Sequence, residues 1–185
     1  MSSYNVSTRY AKALIDTSVE NNSFEQVSND VQLIFDSLKG SRELRSVLLS
    51  PIIKEEKKVA ILDEIFESKI SNEIMNFLKF IVEKNREDLL VDILRRYIDL
   101  KNEKLGIVEV DVISGYEMTD DQKMKLGAKL EERTGKKVVL NYSLDEDLIG
   151  GFKLKLKDTV IDASVKYQLE KLKKSFIDEN MISTN

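Results

Sequence analysis

The stretch KLGIVEVDVIS, residues 104–114, marks the point where the chain changes from one kind of structure to another. Gly106 ends a long helical pattern. Beyond it, acidic residues alternate with apolar ones at Val108, Val110 and Val112. A period of two is typical of a β-strand with one buried face, whereas helices repeat their apolar positions every three to four residues. We therefore predict two domains, over residues 1–105 and 106–185.

Residues 1–105 have the pattern of six successive helices. Ser23 is assigned as an N-cap residue and Gly40 as the residue just beyond a helix. Connections of about 2–6 residues favour antiparallel neighbours, so we expect one six-helix bundle. The predicted helices are Val6–Asn21, Phe24–Leu38, Arg42–Leu49, Glu55–Glu67, Ser71 or Asn72 to about Lys84, and Arg86–Leu105.

Residues 106–185 follow the order β-α-β-β-α. Thr119 caps the first helix of this domain, Gly135 ends it, and Ser164 caps the last helix. The predicted strands are Ile107–Ile113, Lys137–Tyr142 and Phe152–Lys157, the last extended by Val160 and Ile161 after a turn at Asp158-Thr159. The predicted fold class is α+β, with an N-terminal six-helix bundle followed by a small C-terminal α/β domain.

The composition excludes several kinds of chemistry. The 185 residues include no Cys and no His, which excludes disulfides, thiolate nucleophiles, Ser–His–Asp triads and Cys- or His-bound metals. Gly150-Gly151 lacks the Gly-Lys-Ser/Thr of a phosphate loop and is interpreted as a flexible or positive-φ entry into a strand. A carboxylate-based enzyme stays open, but no motif supports it. We predict no catalytic residue, no metal site and no cofactor.

The charge is spread evenly along the chain. Residues 1–105 contain 16 basic and 18 acidic residues, and residues 106–185 contain 13 and 15, so each half has a net charge of -2. This balance disfavours a nucleic-acid partner, which a basic domain would indicate. The longest uncharged runs are about 8 residues, whereas a membrane helix needs about 20, and no signal peptide is evident. We expect either a protein made and kept inside the cell or a mature form, and in both cases one that reaches a membrane only through a partner.

Two helices carry more apolar surface than one packing contact covers. With residues about 100° apart around the axis, the charged residues of the first helix occupy an arc of only about 80°. The apolar residues of the fifth helix, residues 74–82, span about 220°, whereas a surface helix buries a stripe a little over 100° wide. Either these helices are packed on two sides within the bundle, or a groove between them accepts an amphipathic helix from another chain. Both interpretations remain open.

Several segments, in order along almost the whole chain, resemble the delta subunit family of bacterial F-type ATP synthases, related to the mitochondrial oligomycin-sensitivity-conferring subunit. The similar segments are Arg9–Leu14, Ser50–Ile53 with Lys57, Glu109–Ser114, Leu148–Phe152, Val160–Val165 and Leu169–Leu172. The resemblance implies a non-catalytic stator of the peripheral stalk, which links the catalytic head to the membrane-anchored b subunit and resists rotor torque during proton-driven ATP synthesis.

The resemblance also implies partners and a location. The helical domain would bind N-terminal helices of the alpha subunits, and the C-terminal domain, from Gly151 to about Phe176, would bind the end of the b subunit. The expected location is the cytoplasmic face of the bacterial plasma membrane, peripheral, with one copy in the complex. The alternative is a nucleic-acid or ribosome-associated factor. The residues expected to contact alpha are Tyr10, Ala11, Leu14, Phe77 and Ile81.

Overall fold

The computed structural model describes residues 3–156 and 159–182, with side chains up to residue 174. The chain divides into two compact units, Met1–Lys104 and Leu105–Asn185. Helices make up the first unit, and the second is a mixed sheet with helices. The predicted α+β fold class is therefore confirmed.

Six α-helices form the first unit, as predicted, with ends that differ by a few residues. Helix α1 begins at Ser3, earlier than expected. The last helix is shorter, because Asn85 adopts a left-handed conformation (φ 51°) and a 3-10 helix, Glu87–Leu89, precedes it. The helices are α1 (Ser3–Glu20), α2 (Phe24–Gly40), α3 (Arg42–Leu49), α4 (Glu55–Phe66), α5 (Asn72–Glu83) and α6 (Leu90–Leu105).

One of the predicted helix-end assignments in this unit is wrong. Ser23 is the N-cap residue of α2, and its carbonyl accepts the Val27 N–H at 2.9 Å, but its hydroxyl makes no cap bond and donates to Glu73 Oε2 at 2.7 Å. Gly40 is the last residue of α2, and Ser41 follows it in extended conformation. The Ser41 hydroxyl then accepts the Leu44 N–H at 3.1 Å and begins α3.

A single apolar core fills the helical unit. Helix α5 contributes the most central positions, and every neighbouring helix packs residues against the same cluster. Tyr97 of α6 is fully buried, and its hydroxyl lies 3.1 Å from Ser28 Oγ. Burial raises the pKa of Tyr97, because the interior disfavours the phenolate. The α5 residues in this core are Ile74, Met75, Leu78, Ile81 and Val82.

The second unit is a four-stranded sheet with order β2-β1-β3-β4. Strand β1 pairs in parallel with β2, and a helix connects the two strands along the chain. The β1–β3 and β3–β4 pairs are antiparallel. Its elements are β1 (Ile107–Ser114), α7 (Asp120–Thr134), β2 (Lys137–Leu144), β3 (Phe152–Leu156), β4 (Thr159–Asp162) and α8 (Val165–Ile182). Val160 and Ile161 thus belong to a separate strand. Lys157 and Asp158, placed in a strand and a turn by the sequence, lie outside the described residues.

Glycines and caps shape this unit as the sequence indicates. Thr119 and Gln122 form a capping box at the start of α7, and Gly135 ends it with φ 64°. Ser164 Oγ accepts the Tyr167 N–H at 3.2 Å at the start of α8. Gly151 has φ 78°, which confirms a positive φ before β3, and a Cβ there would lie 2.4 Å from the Ala163 carbonyl oxygen.

The core of the second unit is small. Its fully buried apolar residues come from β1, β3 and the segment before α7, while α7 itself has none. They are Val110, Val112, Met118 and Leu154. Across the described ranges of both units, no helix combines the length and apolar character needed to cross a bilayer.

Candidate functional site

A groove runs between α1 and α5 on the helical unit, with a volume of about 450 Å³. Residues near the end of α1 bond to Glu73 at the start of α5, and Tyr10 near the start of α1 meets Phe80 near the end of α5. The two helices are therefore antiparallel, and the groove follows both. The α1–α5 groove is lined by Arg9, Tyr10, Ala13, Leu14, Thr17, Glu73, Phe77 and Phe80.

Aromatic side chains dominate the apolar part of the groove. The rings of Tyr10 and Phe80 are tilted by 59° with centroids 6.3 Å apart, a normal aromatic packing geometry. Phe80 is nevertheless 42% exposed. Lys84 Nζ lies 5.4 Å from the centre of the Phe80 ring. Large apolar side chains exposed together in a concave surface are typical of a protein-binding site.

The two ends of the groove carry opposite charges. At one end Glu73 is held in place, because Asn21 Nδ2 donates to its Oε1 at 3.2 Å and Ser23 Oγ donates to its Oε2 at 2.7 Å. Arg9 lines the groove beside Tyr10, at the end where Lys84 approaches Phe80. The groove therefore has an acidic end, fixed by the α1–α2 turn, and a basic end.

Three of the five residues predicted to contact a partner line this groove: Tyr10, Leu14 and Phe77. The other two do not, because Ala11 and Ile81 are both 0% exposed and belong to the core of the helical unit. The prediction omitted five lining residues, which are Arg9, Ala13, Thr17, Glu73 and Phe80. Phe80 lies at the edge of the wide apolar arc of α5, which is the signal that could have identified it.

The two interpretations of the apolar excess each account for part of α5. Five of its residues are buried, so the helix is indeed central in the bundle. Phe77 and Phe80 remain beyond that core and face the groove. On α1, Tyr10 and Ala13 line the groove beside the buried Ala11 and Leu14, while Tyr4 and Val19 are exposed outside it. Part of the excess over core burial therefore lies on the facing edges of two adjacent helices.

The small unit also exposes apolar side chains on β4 and on the first half of α8. They are Val160 and Ile161, which point to opposite faces of the sheet, and Val165, Leu169 and Leu172 on the helix. The turn between the two elements is rigid, because the Ser164 N–H donates to Asp162 Oδ1 at 2.9 Å. The hydrogen bonds from Ser164, with Lys153 nearby, hold the pKa of Asp162 below its ordinary value.

Neither surface has the residues of a catalytic centre. Within the described ranges, no three acidic residues converge as metal ligands would. The exposed groups are aromatic and aliphatic side chains with a few charges at the edges, a combination suited to binding another polypeptide.

Comparison with known proteins identifies close relatives. A family model described as ATP synthase delta (OSCP) subunit matches residues 6–176. The ATP synthase subunit delta of Chlorobaculum tepidum is 41% identical over 177 residues, covering 96% of this chain and 98% of the relative. The ATP synthase subunit delta of Chlorobium phaeobacteroides (strain BS1) is 40% identical over 179 residues, with coverage of 97% and 99%.

The fold also matches a solved structure. A chain in the cryo-EM structure of the Toxoplasma gondii mitochondrial ATP synthase hexamer superimposes with a TM-score of 0.73. The match covers 92% of this chain and 97% of that chain at 23% identity. At this level of identity the likeness is one of fold.

Proposed function

Because this chain belongs to the ATP synthase delta (OSCP) subunit family, it is a non-catalytic stator subunit of an F1Fo ATP synthase, and we propose that its α1–α5 groove holds an alpha-subunit helix. The family confirms the stator role and the non-catalytic character expected from the sequence. A stator prevents the catalytic head from turning with the rotor, so that ion-driven rotation is converted into ATP synthesis. The alternative of a nucleic-acid or ribosome-associated factor is therefore not retained.

The partner in the groove is the N-terminal helix of an alpha subunit. The observation that supports this proposal is the aromatic lining of the groove, in which Tyr10 and Phe77 are partly buried and Phe80 is exposed. An amphipathic helix inserts its apolar face into such a groove, with anchor residues spaced three to four apart. Desolvated aromatic contacts dissociate slowly, which suits a link that must hold through every catalytic cycle.

The charges at the ends of the groove favour one direction for that helix. A helix carries partial positive charge at its N-terminus and partial negative charge at its C-terminus. The carboxylate of Glu73 therefore favours the N-terminal end of the bound helix, and Arg9 and Lys84 favour the C-terminal end. We propose that the alpha helix lies parallel to α5, since Glu73 is at the start of α5.

The second proposed contact is with the C-terminal end of the b subunit, over the region from Gly151 to about Phe176. Its support is the exposed apolar side chains of β4 and α8, which nothing in the described part of the small unit covers. The side chain of Phe176 lies outside the described residues. A b helix packed on Leu169 and Leu172 would bury the α8 side chains and link the unit to the stalk.

The location follows from membership of the complex. The two most fully described relatives are bacterial delta subunits. We propose that one copy of this chain lies peripherally on the cytoplasmic face of the bacterial plasma membrane, and that it is held there by the complex alone.

The groove proposal is tested with the variant Tyr10→Asp and a synthetic peptide of the alpha-subunit N-terminal residues from the same organism. We expect the affinity measured by calorimetry to fall by roughly tenfold or more, because the new carboxylate is desolvated against Phe80. Asn5→Asp is the matched control, since it introduces the same charge on the polar face of α1.

Circular dichroism should show the same helix content for Tyr10→Asp, Asn5→Asp and the parent chain. Urea unfolding should show a loss of about 1 kcal/mol for Tyr10→Asp only, because Tyr10 packs partly buried against the core whereas Asn5 is exposed. Unchanged peptide affinity of a folded Tyr10→Asp chain would contradict the groove as the alpha site. An equal loss of peptide affinity in Asn5→Asp would show that the added negative charge alone causes the effect.

A further inference from the structure

The helical unit has a second cavity that shares no residue with the α1–α5 groove. It lies where the loop between α3 and α4 meets the segment before α6, and its volume is about 290 Å³. One wall is apolar and the other is polar and mostly acidic. This acidic pocket is lined by Leu49, Pro51 and Ile53 on the apolar side and by Glu55, Lys58, Asn85, Glu87 and Asp88 on the other.

The polar wall has more carboxylates than internal partners. It contains three carboxylates and one ammonium group, that of Lys58, which is buried and pairs with Glu87. The side chain of Glu87 is only 10% exposed, and its second oxygen, Oε2, has no hydrogen-bond partner. A buried carboxylate oxygen without a donor is unfavourable, so this wall is suited to a further cation.

The pocket is already organised without a ligand. Asn85, in its left-handed conformation, donates from Nδ2 to Glu55 Oε1 at 3.0 Å, which ties the start of α4 to the segment that carries Glu87. Glu87 and Asp88 are fixed by the 3-10 helix that they begin. The carboxylates are therefore already in position before a ligand binds, which lowers the entropic cost of binding.

The kind of cation follows from how the groups are spread. No three acidic residues in the described ranges converge on one point as metal ligands would. A guanidinium group is planar and presents five N–H donors in several directions, so it can bond to separated carboxylates. The apolar wall of Leu49, Pro51 and Ile53 suits the methylene stem of the same side chain.

We propose that the acidic pocket binds an arginine side chain of a partner protein, at a docking point separate from the groove. The loop beside it supports a protein partner, because Ile52 is 90% exposed and Leu49 is largely exposed. These side chains would contact an apolar residue next to the arginine. The combination of an apolar rim and an acidic interior is typical of a site that anchors one charged residue of a docked segment.

The test is a titration of the isotope-labelled full chain with N-acetyl-arginine amide, followed by two-dimensional NMR. We expect saturable shifts at the backbone amides of Asn85, Glu87 and Asp88. N-acetyl-citrulline amide has nearly the same shape without the charge and should produce none. The double variant Glu55→Gln/Asp88→Asn should weaken binding by about tenfold, the effect of removing charge-assisted hydrogen bonds.

Both substituted side chains in that variant are exposed, so the fold is retained, whereas Glu87 is left intact because it neutralises the buried Lys58. Glu56→Gln/Asp92→Asn is the matched control, with the same change of charge at exposed positions outside the pocket. Equal shifts with the citrulline compound, or no saturable shift with the arginine compound, would overturn the site.

A second measurement tests the partner. The full chain is bound again to ATP synthase from which this subunit has been removed, and the affinity of the double variant is compared with that of its control. We expect a loss of about fivefold for the pocket variant alone. Equal affinities would show that no partner arginine uses the pocket in the complex. This outcome is independent of the groove, which Tyr10→Asp tests.

Discussion

The two units differ most in how much of their apolar surface they bury by themselves. The core cluster of the helical unit contains 23 buried apolar residues, whereas the core cluster in the described part of the small unit contains four. Helix α7 has no fully buried residue, and the described apolar side chains of α8 are exposed. The helical unit is therefore a self-sufficient platform with a groove on its surface. The small unit leaves part of its apolar surface for a partner to cover.

The largest effect is expected from a substitution in the core of the helical unit. Leu78→Ala removes a side chain that is fully buried at the centre of α5. We expect the free energy of unfolding of the helical unit to fall by about 3–4 kcal/mol, because a cavity is left in a close-packed core. Urea denaturation of the full chain measures it. Leu49→Ala, the same change at an exposed leucine, should alter it by less than about 1 kcal/mol. Equal losses would contradict the assigned core.

A glycine substitution tests how strongly the stability of the small unit depends on one backbone position. Gly151→Ala would force a side chain into a left-handed backbone position, with its Cβ 2.4 Å from the Ala163 carbonyl oxygen. We expect a loss of about 2–3 kcal/mol, confined to the transition of the small unit. Gly135→Ala has a similar φ but no atom within 4 Å of the new Cβ, so its loss should be near 1 kcal/mol. Equal losses would show that the contact with Ala163 is unimportant.

A smaller effect is expected from the charge that fixes the turn between β4 and α8. Because the pKa of Asp162 is lowered in the folded unit, its stabilisation is present above the unfolded value, about 3.9, and is lost as the pH falls through the folded value. In Asp162→Asn, the free energy of unfolding of the small unit should therefore fall less as the pH is lowered. Urea unfolding at successive pH values measures it. An unchanged acid profile would contradict the role of Asp162.

The smallest effect on stability is expected where the apolar surface is already exposed. Leu169→Ser/Leu172→Ser changes two α8 side chains that are 55% and 53% exposed. We expect the unfolding free energy to change by less than about 0.5 kcal/mol, because little burial is lost. Binding to the soluble part of the b subunit should nevertheless fall sharply in a pull-down. A large loss of stability with unchanged binding would show that these α8 side chains belong to the core of the small unit and are not a binding surface.

The element pattern could be predicted almost completely from local signals. The alternation at Val108–Val112, the Thr119 cap and the glycines at 106 and 135 each determine a boundary through their own backbone chemistry, and the structure agrees with all of them. The partner of the Ser23 hydroxyl could not be predicted in this way. This hydroxyl donates to Glu73, which is distant in sequence and is brought close by the packing of α5.

Of the five residues predicted to contact a partner, Tyr10, Leu14 and Phe77 line the α1–α5 groove, whereas Ala11 and Ile81 lie in the core. The arc of α5 is centred near Ile81, and a helix points the centre of its arc at the core. Phe80 lies at the edge and faces the groove. Ala11 and Tyr10 of α1 show the same relation. When an arc is too wide for one contact, its edges are therefore the candidates for a partner site.

The position of β1 determines how the small unit resists force. The chain enters the unit through Gly106 into β1, the strand that pairs with both β2 and β3, and leaves β4 for α8 at the opposite end of the sheet. A pull applied between Ile107 and Val165 acts along the strands, so it loads many of the inter-strand hydrogen bonds at the same time. Paired strands that are pulled apart from one end lose their hydrogen bonds one at a time. Strands that are pulled along their length must break many hydrogen bonds together. The topology thus makes the small unit stiff against a pull between its first strand and its last helix.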